Sequence, residues 1–291
     1  MSALAPGSVL AQSFEIVRRV GAGAMGTVYE AIEIASGEHV ALKIPHDIFK
    51  TDRLAIKRFV REAKATLAIR SPYVVRTLCV GKLPWGVPFF AMELIQGISL
   101  ADLMDRKDRG PVPLGTALRF IDQIACGLGA AHQAGVIHRD LKPGNVLVAS
   151  VKVQPVAKIF DFGLSLLAGD ASNRVTMSGI TFGTPQYMAP EQIRAASNVD
   201  GRADLYALGV LAYEMLAVQW PFSGLSPQDV WHAATHFDAV PLSKHRPDLP
   251  TGLCTAIMKA MARDPADRFP TADDLRAAIA RYRPAATGGK A

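Results

Sequence analysis

Apolar and polar positions alternate in short runs along roughly the first ninety residues of the chain. Phe14, Ile16 and Val20 fall on one face at a period of two, which is typical of a strand with one buried side. The same alternation, interrupted by turn residues such as Ser36-Gly37, predicts further strands at 27–34, 39–44, 74–80 and 88–94. This region is therefore expected to be rich in β-structure.

One stretch within this region has helical spacing instead. Between 52 and 69, four apolar side chains lie on a single stripe: Ile56, Phe59, Ala63 and Leu67. Asp52 is suited to cap the N-terminus of such a helix, and Pro72 prevents the helix from continuing. The pattern therefore predicts one helix among the strands.

From about Gly97 onward, the apolar residues recur at helical spacing. The pattern predicts helices at 114–134, 203–218, 227–236, 252–263 and 272–283. Gly135 is placed to end the first of these, and Thr271 with Asp274 three residues later resembles a capping box for the last. The chain is therefore expected to be of the α+β class. Its predicted parts are an N-terminal extension at 1–13, a strand-rich part at 14–94, a connection at 93–97, a helical part at 97–283 and a flexible tail at 284–291.

Composition and charge restrict the possible partners. The 291 residues are 49% hydrophobic and 20% charged, which is typical of a globular chain with a sizeable core. The net charge is +6, but the basic residues are scattered, with no run longer than Arg18-Arg19. Solvated faces explain them better than a nucleic-acid surface does. Three distant cysteines fit neither a disulfide framework nor a metal site and favour a reduced setting: Cys79, Cys126 and Cys254.

The sequence also bears on membranes. The longest apolar stretch, 205–216, is interrupted by Glu214 and is too short to span a bilayer. Residues 1–12 lack the basic start and the long apolar run of a signal peptide. We therefore expect a cytoplasmic location, with the cytosolic domain of a longer, membrane-anchored protein as the alternative.

The most informative motif lies between the predicted helices at 114–134 and 203–218. Residues 138–145 read His-Arg-Asp-Leu-Lys-Pro-Gly-Asn, and Asp161-Phe162-Gly163 begins sixteen positions after Asn145. These residues supply a candidate base, a cation beside it and two oxygen ligands suited to Mg²⁺. The combination clearly resembles the catalytic loop and metal-binding triplet of protein kinases, most of all the bacterial members of the eukaryotic-type Ser/Thr group.

The resemblance implies a bilobal kinase fold and a role for each motif residue. Asp140 would orient the substrate hydroxyl and accept its proton, and Lys142 would neutralise the transferring phosphoryl group. Asn145 and Asp161 would hold Mg²⁺, with Mn²⁺ as an alternative, on the phosphates of ATP. His138 is expected to pack and position the loop, as is Phe162, rather than to transfer protons.

A glycine-rich segment precedes the second predicted strand. Gly21, Gly23, Gly26 and Val28 match the kinase pattern G-x-G-x-x-G-x-V, but a dinucleotide-binding turn shares its first six positions. A dinucleotide-binding turn leads into a helix, whereas the residues after Gly26 are β-branched and aromatic. A hairpin over the ATP phosphates is therefore favoured, because glycine lets the backbone approach phosphate oxygens closely.

Two further residues are assigned to the phosphates through the resemblance. Lys43 follows Ala41-Leu42 on the third predicted strand and would reach the α- and β-phosphates. Glu62 on the predicted helix would pair with Lys43 and fix its ammonium group. A lone lysine on a strand is usually a solvated residue, and only its spacing from the glycine-rich segment favours the functional interpretation.

The resemblance also implies where adenine would bind. The backbone near Glu93 and Ile95 would hydrogen-bond the base, and Met92 would stand behind it as the gatekeeper. Three apolar side chains would enclose the ring, although ordinary core packing is compatible with the same positions: Val28, Ala41 and Leu147.

The catalytic loop and the segment from Asp161 to Glu191 distinguish between Ser/Thr and tyrosine kinases. Lys142 in the catalytic loop and Thr184 in the predicted substrate loop resemble Ser/Thr kinases rather than tyrosine kinases. Glu191 is expected to pair with Arg268, and Asp204 is expected to brace the backbone of the catalytic loop.

Regulation is also implied by the resemblance. Arg139 precedes the candidate base, and a phosphate in the following segment could pair with this cation and order the segment. Thr176 and Ser178 are the expected sites of autophosphorylation, in preference to Thr181. Self-association for phosphorylation between two copies is expected to accompany it.

Two features depart from the kinase pattern. Thr66 stands four residues after Glu62, where the family usually has a bulky apolar side chain, so the predicted helix is expected to be easier to displace. The loop containing 151–156 is slightly longer than usual, with no expected effect on the chemistry.

The sequence thus predicts a kinase domain that uses ATP and Mg²⁺ on Ser or Thr of protein substrates, without nucleic acid. Two alternatives stay open. A pseudokinase that serves as a binding scaffold would be expected to lack one of Lys43, Asp140 or Asp161, and a small-molecule phosphotransferase would be expected to lack the residues at 183–191.

Overall fold

The structure is a computed structural model of the chain. It describes residues 4–23, 26–46, 60, 64–83, 86–105, 110–149, 154–162, 185–194, 199–222, 224 and 226–283.

The N-terminal part forms a six-stranded antiparallel sheet in the order β1-β2-β3-β4-β6-β5. Its strands are β1 (Val9–Leu10), β2 (Phe14–Gly23), β3 (Gly26–Glu33), β4 (His39–Pro45), β5 (Thr77–Lys82) and β6 (Pro88–Glu93). Alternate residues of these strands pack into a core, in which the ring of Phe14 meets that of Phe89 edge to face at 5.7 Å. The strands predicted at 14–20, 27–34, 39–44 and 88–94 are confirmed to within a few residues.

The strand predicted at 74–80 is shifted. β5 begins only at Thr77, and Val74 instead forms a parallel bridge with Ile159. The backbone N–H of Val75 donates to the carbonyl of Ile159 at 2.8 Å, and that of Ile159 donates to the carbonyl of Tyr73 at 2.8 Å. The backbone at 74 and 75 therefore pairs with a segment that leads into the predicted metal site, while the side chain of Val75 packs against Ala41, Phe90 and Met92 of the first sheet.

A second, three-stranded antiparallel sheet was not predicted. It has the order β7-β8-β9, with β7 (Gly97–Ser99), β8 (Val146–Ala149) and β9 (Val156–Ile159). Its strands have three or four residues each, too few for alternation to be visible. This sheet carries the chain from the catalytic loop to Asp161.

Helices make up most of the remainder. They are α1 (Leu100–Met104), α2 (Leu114–Gln133), α3 (Pro190–Arg194), α4 (Arg202–Ala217), α5 (Pro227–His236), α6 (Leu242–His245), α7 (Thr251–Ala260) and α8 (Ala272–Ile279). Short 3₁₀ turns lie at Pro143–Asn145, Pro185–Tyr187, Pro265–Asp267 and Ala280–Tyr282. α4 is buried on nearly all sides and packs against α2 and α7, so it forms the centre of the large core.

The predicted helix ends are mostly correct. α2 ends one residue before Ala134, with Gly135 at a φ of 73°, and the capping box of Thr271 and Asp274 at the start of α8 is present. α7 stops at Ala260 rather than at 263, because Pro265 disfavours helical backbone before it. α8 tightens into a 3₁₀ turn after Ile279.

The helix predicted at 52–69 lies largely outside the described residues. Within the described part, 60 and 64–66 are helical, and i to i+3 hydrogen bonds close a final turn that ends before Ile69. Glu62, Ile56, Phe59 and Ala63 are outside the described residues, as are 151–153 and the tail at 284–291.

Candidate active site

The carboxylate of Asp204 anchors the backbone of the catalytic loop. This carboxylate is 1% exposed and lies in the first turn of α4. It accepts hydrogen bonds from the backbone N–H of His138 and of Arg139, both at 2.8 Å, and it lies 2.8 Å from the ring of His132. A buried carboxylate with three donors forms a rigid support, so the backbone before Asp140 is fixed by the central helix.

His138 connects the loop to the segment around Phe162. Its Nδ1 accepts from the backbone N–H of Asp140 at 3.2 Å, and its Nε2 lies 2.9 Å from the carbonyl of Phe160. These partners require a neutral ring with the proton on Nε2. The ring packs on Phe162 with centroids 4.7 Å apart and is fully buried. His138 is therefore placed for positioning rather than for proton transfer.

Asp140 is surrounded by donors. Lys142 Nζ donates to Asp140 Oδ2 at 2.9 Å, and Asn145 Nδ2 donates to the Asp140 carbonyl at 2.7 Å and to Oδ2 at 3.2 Å. The Asp140 side chain stays 30% exposed, so an incoming hydroxyl could reach it. The ammonium of Lys142 is thus beside the candidate base, where negative charge would develop during phosphoryl transfer.

The two candidate metal ligands come from adjacent segments. The backbone N–H of Phe160 donates to the carbonyl of Asn145 at 3.0 Å, which places Asp161 next to the catalytic loop. Asp161 has a φ of 63°, a left-handed conformation that is uncommon for residues other than glycine. Since the amide nitrogen of Asn145 is committed to Asp140, its amide oxygen is the atom available to a cation. A carboxylate and an amide oxygen fit the ligand preference of Mg²⁺.

Lys43 makes a contact that the sequence did not reveal. Its Nζ lies 2.5 Å from Asp161 Oδ1, and the lysine is only 5% exposed. Glu62, the partner expected from the sequence, is outside the described residues, so that pair stays a prediction. The ion pair with Asp161 keeps the ammonium of Lys43 at the position where phosphates and a metal would meet.

The glycine-rich segment is a hairpin. Gly21 pairs with Val28, and Gly23 pairs with Gly26, so β2 leads through the turn into another strand and not into a helix. This excludes a dinucleotide-binding turn. A Cβ on Gly26 would collide with the carbonyl oxygen of Ile44, so this glycine also permits the close approach of β3 and β4.

The predicted adenine residues meet in one apolar cluster. Ala41 and Met92 are buried there, and further apolar side chains pack against them from both sides: Val28, Ile95 and Leu147. The carboxylate of Glu93 accepts from the backbone N–H of Arg76 and from Lys158, at 2.9 and 2.7 Å. The backbone N–H of Glu93 donates to the carbonyl of Arg76 at 3.0 Å, so the expected contact of Glu93 with the base would fall to its carbonyl.

A buried ion pair anchors the segment after the substrate loop. Arg268 is 2% exposed and donates to both carboxylate oxygens of Glu191 at 2.7 Å. The same guanidinium donates to three backbone carbonyls: those of Arg202, Ala262 and Arg263. All its bonding capacity is used, as a buried charge requires.

Three further contacts were missed from the sequence. Gln192 is 5% exposed; it donates to the carbonyl of Arg139 at 2.9 Å and accepts from the N–H of Ala189 at 3.1 Å. Tyr187 donates a hydrogen bond to Glu214. Burial raises the pKa of the Glu214 carboxyl above its usual range, and it also raises the pKa of the Tyr187 hydroxyl.

Arg139 has a buried Nε without a hydrogen-bond partner among the described residues. The hydroxyls expected to become its phosphate partner, Thr176 and Ser178, lie outside the described part, as do Thr181 and Thr184.

A model of the protein kinase domain family matches residues 14–277. The chain belongs to the protein kinase family. Among curated kinases, it is 37% identical over 281 residues to the serine/threonine-protein kinase pkn2 of Myxococcus xanthus, covering 95% of this chain and 33% of the relative. It is 33% identical to PknB of Mycobacterium tuberculosis, covering 94% of this chain and 43% of that kinase. The chain thus spans less than half the length of these two relatives.

Solved kinase structures have the same fold. The crystal structure of the PknI kinase domain of Mycobacterium tuberculosis superposes with a TM-score of 0.74 at 29% identity, covering 96% of this chain and 99% of that one. Rad53 in complex with AMP-PNP superposes with a TM-score of 0.72 at 26% identity, covering 91% of this chain and 64% of that one. The bilobal α+β kinase fold expected from the sequence is confirmed. No helix in the described part of this kinase chain has both the length and the hydropathy needed to cross a membrane.

Proposed function

We propose that this chain is an active Ser/Thr protein kinase domain, which transfers the γ-phosphoryl group of ATP to hydroxyls of protein substrates. The observation that carries the proposal is the convergence of Asp140, Lys142 and Asn145 with Asp161 and Lys43 in one half-buried cluster. Kinase catalysis consists chiefly of positioning and charge stabilisation, and these are the groups that supply both.

These residues act together in a single displacement at the γ-phosphorus of ATP. Asp140 orients the substrate hydroxyl toward the γ-phosphorus and accepts its proton as the new O–P bond forms. The bond from the γ-phosphorus to the ADP oxygen breaks, and ADP leaves with the electron pair. Lys142 neutralises charge on the transferring phosphoryl group, and Lys43 holds the α- and β-phosphates.

Asn145 and Asp161 are the residues that would hold the divalent cation, for which we propose Mg²⁺ with Mn²⁺ as the alternative. When bound, the cation neutralises phosphate charge and aligns the phosphates for displacement. Lys43 contacts Oδ1 of Asp161, which leaves Oδ2 as the oxygen of this carboxylate that would bind the cation.

A cavity of about 980 Å³ beside the catalytic loop supports a protein substrate. Its lining includes Lys142 and Gly144 of the catalytic loop together with Glu214 and Trp220. A groove of this size accommodates several side chains of a peptide whose acceptor hydroxyl lies at Asp140.

We further propose regulation by autophosphorylation at Thr176, Ser178 or both, between self-associating copies. The buried Nε of Arg139, which has no hydrogen-bond partner within the part of the chain that the structure describes, supports this, because a phosphate would supply acceptors for it. We propose a cytoplasmic location, with the cytosolic part of a longer, membrane-anchored kinase as the alternative.

The test is incubation of the purified chain with γ-labelled ATP, Mg²⁺ and either protein acceptors or a panel of small hydroxyl compounds. We expect label on serine and threonine of protein, identified after acid hydrolysis. ATP binding without any transfer would favour a scaffolding pseudokinase, and label on small compounds alone would favour a small-molecule phosphotransferase.

A further inference from the structure

The peptide group that joins Arg139 to Asp140 is held on both sides. Arg139 has a φ of 65°, in the left-handed region that residues with a Cβ rarely adopt. The carbonyl of this peptide accepts from Gln192 Nε2 at 2.9 Å, and its N–H donates to His138 Nδ1 at 3.2 Å. The preceding N–H, that of Arg139, donates to Asp204 at 2.8 Å. An uncommon backbone conformation persists only where its surroundings impose it, as they do here.

Gln192 is itself fixed in one orientation. Its Oε1 accepts from the backbone N–H of Ala189 at 3.1 Å, which obliges the amide nitrogen to point to the Arg139 carbonyl. The side chain is 5% exposed, so water does not compete for either bond. Gln192 lies in α3, directly after Glu191, and thus connects the anchored end of the substrate-loop segment to the catalytic loop.

We propose that Gln192 is a positioning residue for phosphoryl transfer, which sets the orientation of the Arg139–Asp140 peptide and through it the direction of the Asp140 carboxylate. The inference rests on the proposed role of Asp140 as the base. Gln192 touches neither ATP nor the acceptor, so its effect is on the rate of transfer and not on nucleotide binding. The same contact makes the geometry of Asp140 depend on the position of α3.

The test compares Gln192→Met with a matched control, Gln123→Met. Gln123 is 8% exposed and accepts from the backbone N–H of Ala157 at 2.8 Å, so its bond is made to β9 and not to the backbone of the catalytic loop. Both changes remove hydrogen bonds made by a buried side-chain amide, so both should lower the midpoint of thermal unfolding by a similar amount. We expect kcat to fall about tenfold in Gln192→Met, since small misplacement of a reacting group is costly, with KM for ATP within about twofold of the parent. Gln123→Met should leave kcat unchanged.

A second variant gives a readout that lost stability alone cannot imitate. In Gln192→Glu, an ionised carboxylate faces the Arg139 carbonyl without a proton to donate, whereas a protonated one can donate. Burial at this site raises the pKa of the introduced carboxyl above its free value of about 4.3, so the ratio of its kcat to that of the parent should rise as the pH is lowered towards that pKa. This comparison uses one folded protein and decides the matter even if Gln192→Met does not fold.

Asp140→Asn separates the inference from the proposed function. If Asp140→Asn is inactive but Gln192→Met keeps the parental kcat, or if Gln192→Glu shows no pH-dependent recovery, the role of Gln192 is wrong. An equal loss of kcat in Gln123→Met would likewise overturn it. If Asp140→Asn retains parental turnover, the proposed role of Asp140 fails first.

Discussion

Thr66 and Thr77 form a polar contact where the kinase pattern has apolar packing. Their hydroxyl oxygens lie 2.9 Å apart, joining the helical residues at 64–66 to the start of β5. A cavity of about 30 Å³, lined by both threonines, extends to Asp161 and Phe162. The hydroxyl pair thus stands where a bulky apolar side chain would otherwise pack against the segment of Asp161 and Phe162.

The expected magnitudes follow from the hydrogen bond. Thr66→Val preserves shape but leaves the Thr77 hydroxyl without this partner, so we expect a loss of about 1–2 kcal/mol in unfolding free energy. Thr77→Val should cost about the same. The double change removes both polar groups and should be less costly than the sum of the two by about 1 kcal/mol.

Turnover should respond more strongly to added side-chain volume at 66 when the unpaired hydroxyl of Thr77 is also removed. Thr66→Leu combined with Thr77→Val fills the cavity beside Asp161, and we expect higher turnover by the unphosphorylated protein. Thr66→Leu alone should gain less, because it leaves Thr77 unpaired. Urea unfolding of the single and double variants, with initial rates on the same samples, measures both effects.

Thr255→Val is the control, because this exposed hydroxyl donates within its own helix, to the carbonyl of Thr251 at 2.9 Å. Stability changes at 66 and 77 that add within about 0.3–0.5 kcal/mol would refute the coupling. Equal turnover in Thr66→Leu and in the combined variant would refute the proposed link between the hydroxyl pair and activity.

Three further predictions concern other parts of the kinase domain. Arg268→Met should lower the free energy of unfolding by about 3–5 kcal/mol, because it leaves Glu191 and three backbone carbonyls without their donor. Glu191→Gln keeps an acceptor for Arg268 and should cost less. Equal losses in denaturant unfolding of the two variants would contradict this. Glu214 has a raised pKa in the fold, so its contribution is fully present below its unfolded pKa of about 4.5 and is lost as the pH rises through the folded value. Glu214→Gln should therefore gain in unfolding free energy relative to the parent as the pH is raised from about 4.5 through the raised pKa, and a constant difference would be inconsistent with that raised pKa. Incubation with MgATP should place phosphate on Thr176 or Ser178 in peptide mass spectra, and changing both to Ala should slow turnover; phosphate found only elsewhere would exclude that regulation.

Local patterns were sufficient to predict much of the fold and the candidate site. The run of β-branched residues after Gly26 distinguished a hairpin from a helix-initiating turn, and the pairing of β2 with β3 agrees. The capping box at Thr271 was visible because its partners are three residues apart. The spacing between Asp140, Asn145 and Asp161 was informative because the catalytic loop and β8–β9 are short and follow one another directly.

Contacts between distant segments could not be predicted in this way. Lys43 and Asp161 are separated by 118 positions, and either residue alone resembles a solvated charge. Glu214 was visible only as a polar interruption of an apolar stretch, although its hydrogen bond to Tyr187 explains it. Gln192 carries no sequence signal, since its importance depends on the orientation of a carbonyl 53 residues away.

The most direct test of the account is the rate of phosphoryl transfer by Lys43→Met, Asp140→Asn and Asp161→Asn beside the parent protein, at saturating ATP and Mg²⁺. Each removes a different group, respectively the phosphate clamp, the hydroxyl-orienting base and the metal ligand. We predict that every rate falls by about 10²-fold or more while the circular dichroism spectrum and the thermal transition show a folded domain. Parental turnover in any one of the three folded variants would contradict the role given to that residue, and parental turnover in all three would contradict the proposed active site.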